Sequence, residues 1–486
     1  MSGIRRLANI WRVADLRGKV LFTLFVVLVY RVGAHVTVPF VDFAAIKSFR
    51  DAESATGGIV PFLDLFTGGA ITNVAVFFLG IMPYITASIV VQLLGVAIPR
   101  IERWQGQGKA GQRKITQWTR YLTLVLAFAQ STGFVFALRS GGGGALGITG
   151  INLPPGVEII PDFNLWKASV IILTWTAGMA LLMWFGELIN QRGIGNGMSI
   201  LIFASVVSRL PRQLVSVYSE GRGLEFAVLL VAIAMIVGIV FVESGVRRIP
   251  VQFSKLVVGG NMYGGRATHI PLKVNQGGTV ALIFASSILQ LFSAMLAIIV
   301  PWQLFRTFVD DNLVGSAGTT WSFIGIYALM IMFAAYFYSS ISYNPAQLAD
   351  MIRLQGGFIP GIRAGPPTER YLARVISRIT LPGACFLAVI ALVPFVVFKF
   401  WGITQFPFGG TKLLITVGVA LETMRQIDHH LLANDYPGFL HASKKKRRRR
   451  RRSRPPTEAD AEAAEGEAAA EQAEAVGVVA GSNPLV

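Results

Sequence analysis

The chain has 486 residues, 53% of them hydrophobic and only 14% charged, with a formal net charge of +18 and a mean hydropathy of +0.57. A soluble domain carries about a quarter charged residues, so this balance excludes an ordinary soluble enzyme and predicts a polytopic membrane protein. The one cysteine, Cys385, excludes an intrachain disulfide.

Runs of about 20 apolar residues are long enough to cross a bilayer as helices. They are predicted at 20–40, 74–98, 118–138, 168–189, 197–216, 224–242, 277–301, 322–342, 376–398 and 410–431. The first run follows Arg5, Arg6, Arg12, Arg17 and Lys19, with no small-residue cleavage site after it, and is expected to be a retained helix.

The second run is interrupted. In FTGGAITNVAVFFLGIMPYI, Phe66 to Ile85, the breaks are Gly68-Gly69, Thr72 and Asn73, then Gly80 and Pro83. Backbone that leaves helical form at membrane depth survives only where protein or a water-filled cavity surrounds it. Composition leaves two readings open. One is a half-helix 61–70 inside a cavity, joined by a Gly-Gly hinge to a full span 74–98. The other is an outer loop dipping into the headgroups. Ile81 and Ile85 lie four apart, on one helix face, with a kink expected at Pro83. Periodicity alone does not separate a functional role for that pair from packing or lipid contact.

Lys/Arg bias orients the spans. The loops after the second, sixth and eighth are basic: Arg100, Arg103, Lys109, Arg113 and Lys114; Arg247, Arg248, Lys255, Arg266 and Lys273; Arg353, Arg363, Arg370 and Arg374. The alternate loops are poorer, so both termini are expected in the cytoplasm. The largest cytoplasmic loops, about 243–275 and 343–375, are rich in Gly, Pro and Arg, and loops this long are usually functional or disordered. Arg31, Glu187, Glu243, Glu422 and Arg425 all fall near predicted span ends. Charges inside a bilayer usually mark ion pathways, so their scarcity in span interiors argues against an ion-coupled pump.

The chain ends in KKKRRRRRRSR, Lys444 to Arg454, and then an Ala/Glu-rich stretch. That tail is expected to be disordered or transiently helical. GQGKAG, Gly106 to Gly111, matches a phosphate-loop pattern but has no strand before it, which removes it as a nucleotide site. The five histidines show no metal-ligand spacing, and no nucleophile or acid/base constellation stands out. No metal, cofactor or catalytic residue is expected.

Several long blocks resemble the SecY/Sec61-alpha family of protein-conducting channels. GGAITNVAVFFLGIMPYITASIVVQLL, Gly68 to Leu94, is similar to the family's second-span signature. RGIGNGMSILIFA (192–204) resembles its fifth span, and THIPLKVNQGGTVALIFASSIL (268–289) its seventh. YNPAQLADMIRLQGGFIPGIRAGPPTERYLARVISRITLPGA (343–384) resembles its eighth-to-ninth loop, and FGGTKLLI (408–415) the start of its tenth span. The blocks occur in family order between about residues 19 and 440.

The resemblance implies an all-α membrane protein of ten spans in two inverted five-span halves, with a plug half-helix. The domains would be a cytoplasmic segment 1–18, an N-terminal half 19–216, a C-terminal half 217–442 and a tail 443–486. The pore ring would be Ile81, Ile85, Ile202, Ile283 and Ile415, bordered by Met198. The plug and its hinge would be Pro61, Phe62, Leu63, Asp64, Leu65, Phe66, Thr67, Gly68, Gly69 and Ala70. A weakly packed plug is expected, because it has to move. The lateral gate would draw on Thr86, Gln92, Gln130, Gln290 and Leu291, with Ser131 a further candidate. Partner docking would use Arg247, Arg248 and Arg363. The 255–266 loop is less basic than is usual in the family.

Implied partners are SecE and SecG subunits, the SecA motor, the ribosome through rRNA phosphates, signal peptides, preproteins and membrane lipids. The implied location is the bacterial cytoplasmic membrane, with energy supplied by the motor ATPase or the ribosome. A secondary transporter of small solutes shares the broken helix and inverted repeat but needs a polar midplane site. A membrane scaffold would leave the hinge without a purpose.

Overall fold

The computed structural model describes residues 13–42, 45–46, 67–139, 159–219, 225–253, 255–258, 261–264, 267–275, 277–278, 280–285, 321–342, 344–401 and 409–452. The chain divides into two units, Met1–Gln426 and Ile427–Val486.

The first unit is mainly helical. Helices α1 (Ala14–Gly33), α2 (Met82–Ala97), α3 (Pro99–Gly106), α4 (Gly108–Arg139), α5 (Leu165–Arg192) and α6 (Gly197–Ser219) come from the N-terminal part. Helices α4 and α5 pack together, as do α2 and α4, and α1 lies against α5 and α6. Close approach is set by small residues. A Cβ on Gly197 would stand 1.9 Å from the Gly186 carbonyl oxygen, so α5 and α6 meet backbone to backbone. Phe78 stacks on Trp175 with ring centroids 4.1 Å apart, anchoring the chain before α2 to α5.

The C-terminal part contributes α7 (Glu225–Ser244), α8 (Trp321–Ser342), α9 (Pro345–Leu354), α10 (Pro366–Trp401) and α11 (Gly410–Arg452). Helix α8 packs along α10, where the Ser339 and Thr380 hydroxyls share a buried hydrogen bond of 3.1 Å. Helix α9 starts at Pro345, and the Asn344 side chain caps it by accepting from the Ala346 and Gln347 amides.

Large apolar side chains point outward. Phe226 is 78% and Phe241 79% exposed on α7, and Leu173, Trp184, Leu329 and Phe333 are exposed on α5 and α8. A contiguous apolar surface of this kind is normal against lipid and abnormal in water. Four helices are long and apolar enough to cross a membrane among the described residues, or five if α2 and α3 count as one bent span. The predicted seventh span is described only at its start, where 280–285 is helical.

Two sequence expectations change. First, the chain is not all-α. The stretch read as a large cytoplasmic loop at about 243–275 forms strands β1 (Val246–Phe253), β2 (Lys255–Val258), β3 (Asn261–Gly264) and β4 (Ala267–Lys273). A short β5 (Gly357–Phe358) from the second large loop joins them, in the order β4-β1-β5, while β2 and β3 form their own hairpin. Ile249 and Val251 alternate inward between exposed neighbours on β1, which is the period of two that a one-faced sheet needs. Strand β5 reaches only Gln252 and Phe253, so β1 is an edge strand at Pro250, where a missing N–H is tolerated. Ile249, Val251 and Leu272 share a core with Ile352 of α9 and Leu372, Val375 and Ile376 of α10. The two loops are therefore one folded subdomain. Leu372→Ala is expected to cost about 2–5 kcal/mol there, read as lowered thermal stability and faster proteolysis within 246–275.

Second, 74–98 is not one kinked span. Helix α2 begins only at Met82, and Pro83 sits in its first turn rather than inside it, where its missing N–H leaves no carbonyl unpaired. The sharp bend comes later, at 98° between α2 and α3.

Candidate functional site

The segment from Thr67 to Ile81 is a chain of tight turns. Residues 61–66 lie outside the described residues, so Pro61, Phe62, Leu63, Asp64, Leu65 and Phe66 are not seen. Gly68 and Gly69 both take positive φ, +62° and +105°, which glycine adopts without a Cβ penalty. Val74 also has a positive φ, +44°, a strained state for a β-branched residue. Turns such as Ala75 N–H to Ala70 O at 2.8 Å, and Val76 N–H to Val36 O at 2.9 Å, satisfy part of the backbone.

Side chains from α1 and α6 satisfy more of it. The buried Tyr30 hydroxyl donates to Thr67 O at 3.2 Å. The next residue, Arg31, donates from Nη1 to Gly68 O at 2.8 Å. The Thr72 hydroxyl donates to Gly69 O at 3.0 Å and accepts from Arg209 Nη2 at 3.1 Å. A Cβ on Gly68 would stand 2.9 Å from the Ser205 Cβ of α6. The expectation of a weakly packed plug therefore does not hold for its described part: Thr67, Gly68, Gly69 and Ala70 are all buried. Tight turns have unpaired carbonyls, and at membrane depth only nearby side chains can serve them. No periodicity in the sequence marks which helices supply the donors.

The five isoleucines come together. Ile81, Ile202, Ile283 and Ile415 are 0%, 8%, 5% and 2% exposed. They belong to one apolar cluster with Met198, against which Ile85 packs half-buried. The five are drawn from the start of α2, from α6, from 280–285 and from α11, so sequence separation exceeds 300 residues (81 to 415) across a single contact set.

The polar gate candidates divide. Gln92 donates to Ser88 on its own helix at 3.3 Å. Ser131 bonds within α4 and meets Thr176 of α5 at 3.3 Å, so it faces α5. Thr86 and Gln130 are half-buried. Gln290 and Leu291 lie outside the described residues. The contact from α2 to the C-terminal part is apolar instead: Ile89 and Leu93 pack against the cluster that holds Val228, Ile331 and Leu387. Polarity was the signal used for these positions, and it misses an interface made of branched aliphatics.

Arg247 and Arg248 are exposed on β1, and Arg363 is exposed in the loop between β5 and α10. That loop is held by Gly361 and Gly365, at φ +81° and +110°, and by the Thr368 hydroxyl, which donates to Arg363 O at 2.8 Å. Because β1 pairs with β5, the three arginines belong to one subdomain. The other charges read near span ends have partners. Arg120 pairs with Glu187 between α4 and α5. Glu243 accepts from Asn275 and, through its main-chain oxygen, from Arg425. Lys273 stands 3.7 Å from Glu422. The glycine-rich 106–111 stretch is a helix junction, where a Cβ on Gly111 would stand 1.7 Å from the Trp104 carbonyl oxygen.

The SecY family model matches residues 75–424. The protein translocase subunit SecY of Streptomyces coelicolor is 46% identical over 439 residues, covering 89% of this chain and 99% of that one. The protein of the same name from Mycobacterium tuberculosis is 46% identical over 447 residues, covering 88% and 98%. Among solved structures, a protein-conducting channel aligns over 87% of this chain and 94% of its own, with a TM-score of 0.57 at 16% identity. A structure concerned with the SecY plug domain and the membrane seal aligns over the same shares, with a TM-score of 0.55 at 18% identity. A family match this long, with relatives this similar over nearly their whole length, leaves one assignment: the chain belongs to the SecY family.

Proposed function

We propose that this SecY-family channel subunit passes unfolded preproteins through the isoleucine cluster and releases hydrophobic segments sideways into the bilayer. The chain is a multi-pass membrane protein and a protein-conducting channel, not itself catalytic; a small-solute transporter is not favoured. The observation that carries the path is the convergence of Ile81, Ile85, Ile202, Ile283 and Ile415 in one apolar cluster beside a buried non-helical turn. A constriction of branched aliphatics sheds water when narrow. It also yields around a passing chain, because it offers no fixed hydrogen bonds to break.

In this reading ten spans form two inverted halves, 19–216 and 217–442, with both termini in the cytoplasm of a bacterium and the spans in its inner membrane. Residues 61–70 are the plug, and Gly68-Gly69 its hinge. The lateral gate lies along α2, with Thr86 and Gln130 as its polar members and Ile89 and Leu93 as its apolar contact. Single interhelical hydrogen bonds in membranes are worth under about 1 kcal/mol on average, weak enough for a signal peptide to displace. Arg247, Arg248 and Arg363 dock a cytoplasmic partner, either the SecA motor or the ribosome through rRNA phosphates. SecE and SecG complete the complex, and the motor or the ribosome supplies the energy. A solved Sec61 from a canine ribosome–channel complex shares the fold, with a TM-score of 0.52 at 16% identity.

The test is a site-specific crosslink from residue 85 to a precursor stalled part-way across. Strong crosslinking there, with little from exposed Leu94 on the same helix, is the expected result. Export with no crosslink from residue 85 would remove the ring from the path.

A further inference from the structure

We propose that Arg31 and Arg209 form a clasp that holds the Thr67–Thr72 turn against α1 and α6 and so sets the threshold at which the channel opens. This inference rests on the proposed reading of that turn as the hinge of a plug. Three observations carry it.

The first is the target of the bonds. Arg31 Nη1 grips a main-chain oxygen, Gly68 O, at 2.8 Å, next to the carbonyl that Tyr30 holds. Arg209 Nη2 grips Thr72 Oγ1 at 3.1 Å, and Thr72 in turn binds Gly69 O. The grip thus falls on the carbonyls of the two glycines with positive φ, Gly68 directly and Gly69 through Thr72, the part of the segment best able to turn.

The second is the chemistry. A guanidinium stays charged and offers five donors in a rigid fork. Charge-assisted bonds to oxygen are roughly twice as strong as neutral ones. Hydrogen bonds weaken steeply with distance and angle, so a shift of about 1 Å by the turn releases both arginines together. That is the behaviour of a catch rather than of a spring.

The third is the setting. The same turn contributes Ala70, and the chain that follows it Ala75 and Ile81, to the cluster that contains Ile202, Ile283 and Ile415. Moving the turn away from α1 and α6 therefore disturbs the constriction directly. A Cβ on Gly69 would lie 3.3 Å from Arg209 Nη2, so the guanidinium also packs closely against the second glycine of the turn. Arg31 and Arg209 are positioning residues: they touch the hinge, not the substrate.

The experiment uses the translocase purified with its partner subunits and reconstituted in proteoliposomes. Two quantities are read: potassium leak at rest, and the ratio of export of a signal-defective precursor to that of an intact one. Arg31→Gln and Arg209→Gln are each expected to raise both about tenfold, and Arg31→Lys to recover most of the Arg31→Gln defect. Thr72→Val keeps nearly the same shape while removing the acceptor of Arg209, and is expected to match Arg209→Gln. Should the glutamine variants fail to assemble, Thr72→Val and Arg31→Lys carry the test alone, and a Thr72→Val channel with wild-type leak and ratio overturns the clasp. Ile283→Asn serves as the reference. Leak from Ile283→Asn with none from the clasp variants overturns the clasp and leaves the channel reading standing. No leak from any of them removes the channel reading, and the clasp with it.

Discussion

Ile283→Asn is expected to raise the resting ion leak of the reconstituted channel at least about tenfold and to relax its demand for a good signal sequence. Ile283 is almost fully buried in an apolar cluster. An amide placed there without a partner costs about 1–3 kcal/mol, and the cheapest relief is to let water in. Every 1.4 kcal/mol corresponds to a factor of ten in an equilibrium, so a cost of that size shifts the cluster from dry and closed towards wet and open. Ile85→Asn is expected to act in the same direction but less, because Ile85 is only half-buried and packs at the edge of the cluster. Leak and stringency at wild-type values in both variants would remove the isoleucines from the constriction.

Arg363→Glu is expected to slow motor-driven export about tenfold while leaving the melting temperature unchanged. The side chain is exposed, and the loop's own structure depends on the Arg363 carbonyl, which receives the Thr368 hydroxyl, and on Gly361 and Gly365. None of these is altered by the substitution. What changes is the charge that an acidic or phosphate-bearing partner meets, and charges at the rim of an interface govern association rate and salt dependence. The wild-type rate should therefore fall as salt is raised, and the variant's should respond less. Normal export kinetics across the salt series would refute the docking role.

Much of this architecture was legible in the sequence because membrane insertion is decided by composition over about 20 residues. The apolar runs at 168–189, 224–242, 322–342 and 376–398 all correspond to long apolar helices. Breaks were legible as well: Gly68-Gly69 does leave helical geometry, with positive φ at both residues. The isoleucines could be named only through a resemblance. An isolated pair such as Ile81 and Ile85 has the same periodicity whether it faces lipid, a core or a pore.

Other features depended on contacts between distant parts of the chain. Pro83 is read as a kink and starts a helix, because the chain before it makes local turns and Val74 and Val76 bond to Val38 and Val36 instead of extending α2 backwards. The strands within the loops at 243–275 and 343–375 are not legible in the sequence because each is short and buries only a few side chains. Their shared core exists only once β1 pairs with β5 and packs on α10. Polarity along α2 does not mark its contact with the C-terminal part, where Ile89 and Leu93 pack on an apolar cluster. Arg31 read as a charge near a span end, and nothing local says that its guanidinium reaches Gly68, 37 residues on. By itself, then, the sequence determined membrane residence, four of the long apolar helices, the break at Gly68-Gly69 and, through long ordered motifs, the family. The tertiary structure alone decided which oxygens the two arginines hold, Gly68 O and Thr72 Oγ1, and which four segments bring their isoleucines together. The physical reason is range: hydropathy and backbone preference are local properties of a chain, whereas a hydrogen bond across 37 residues or a contact between residues 81 and 415 is a property of the packed whole.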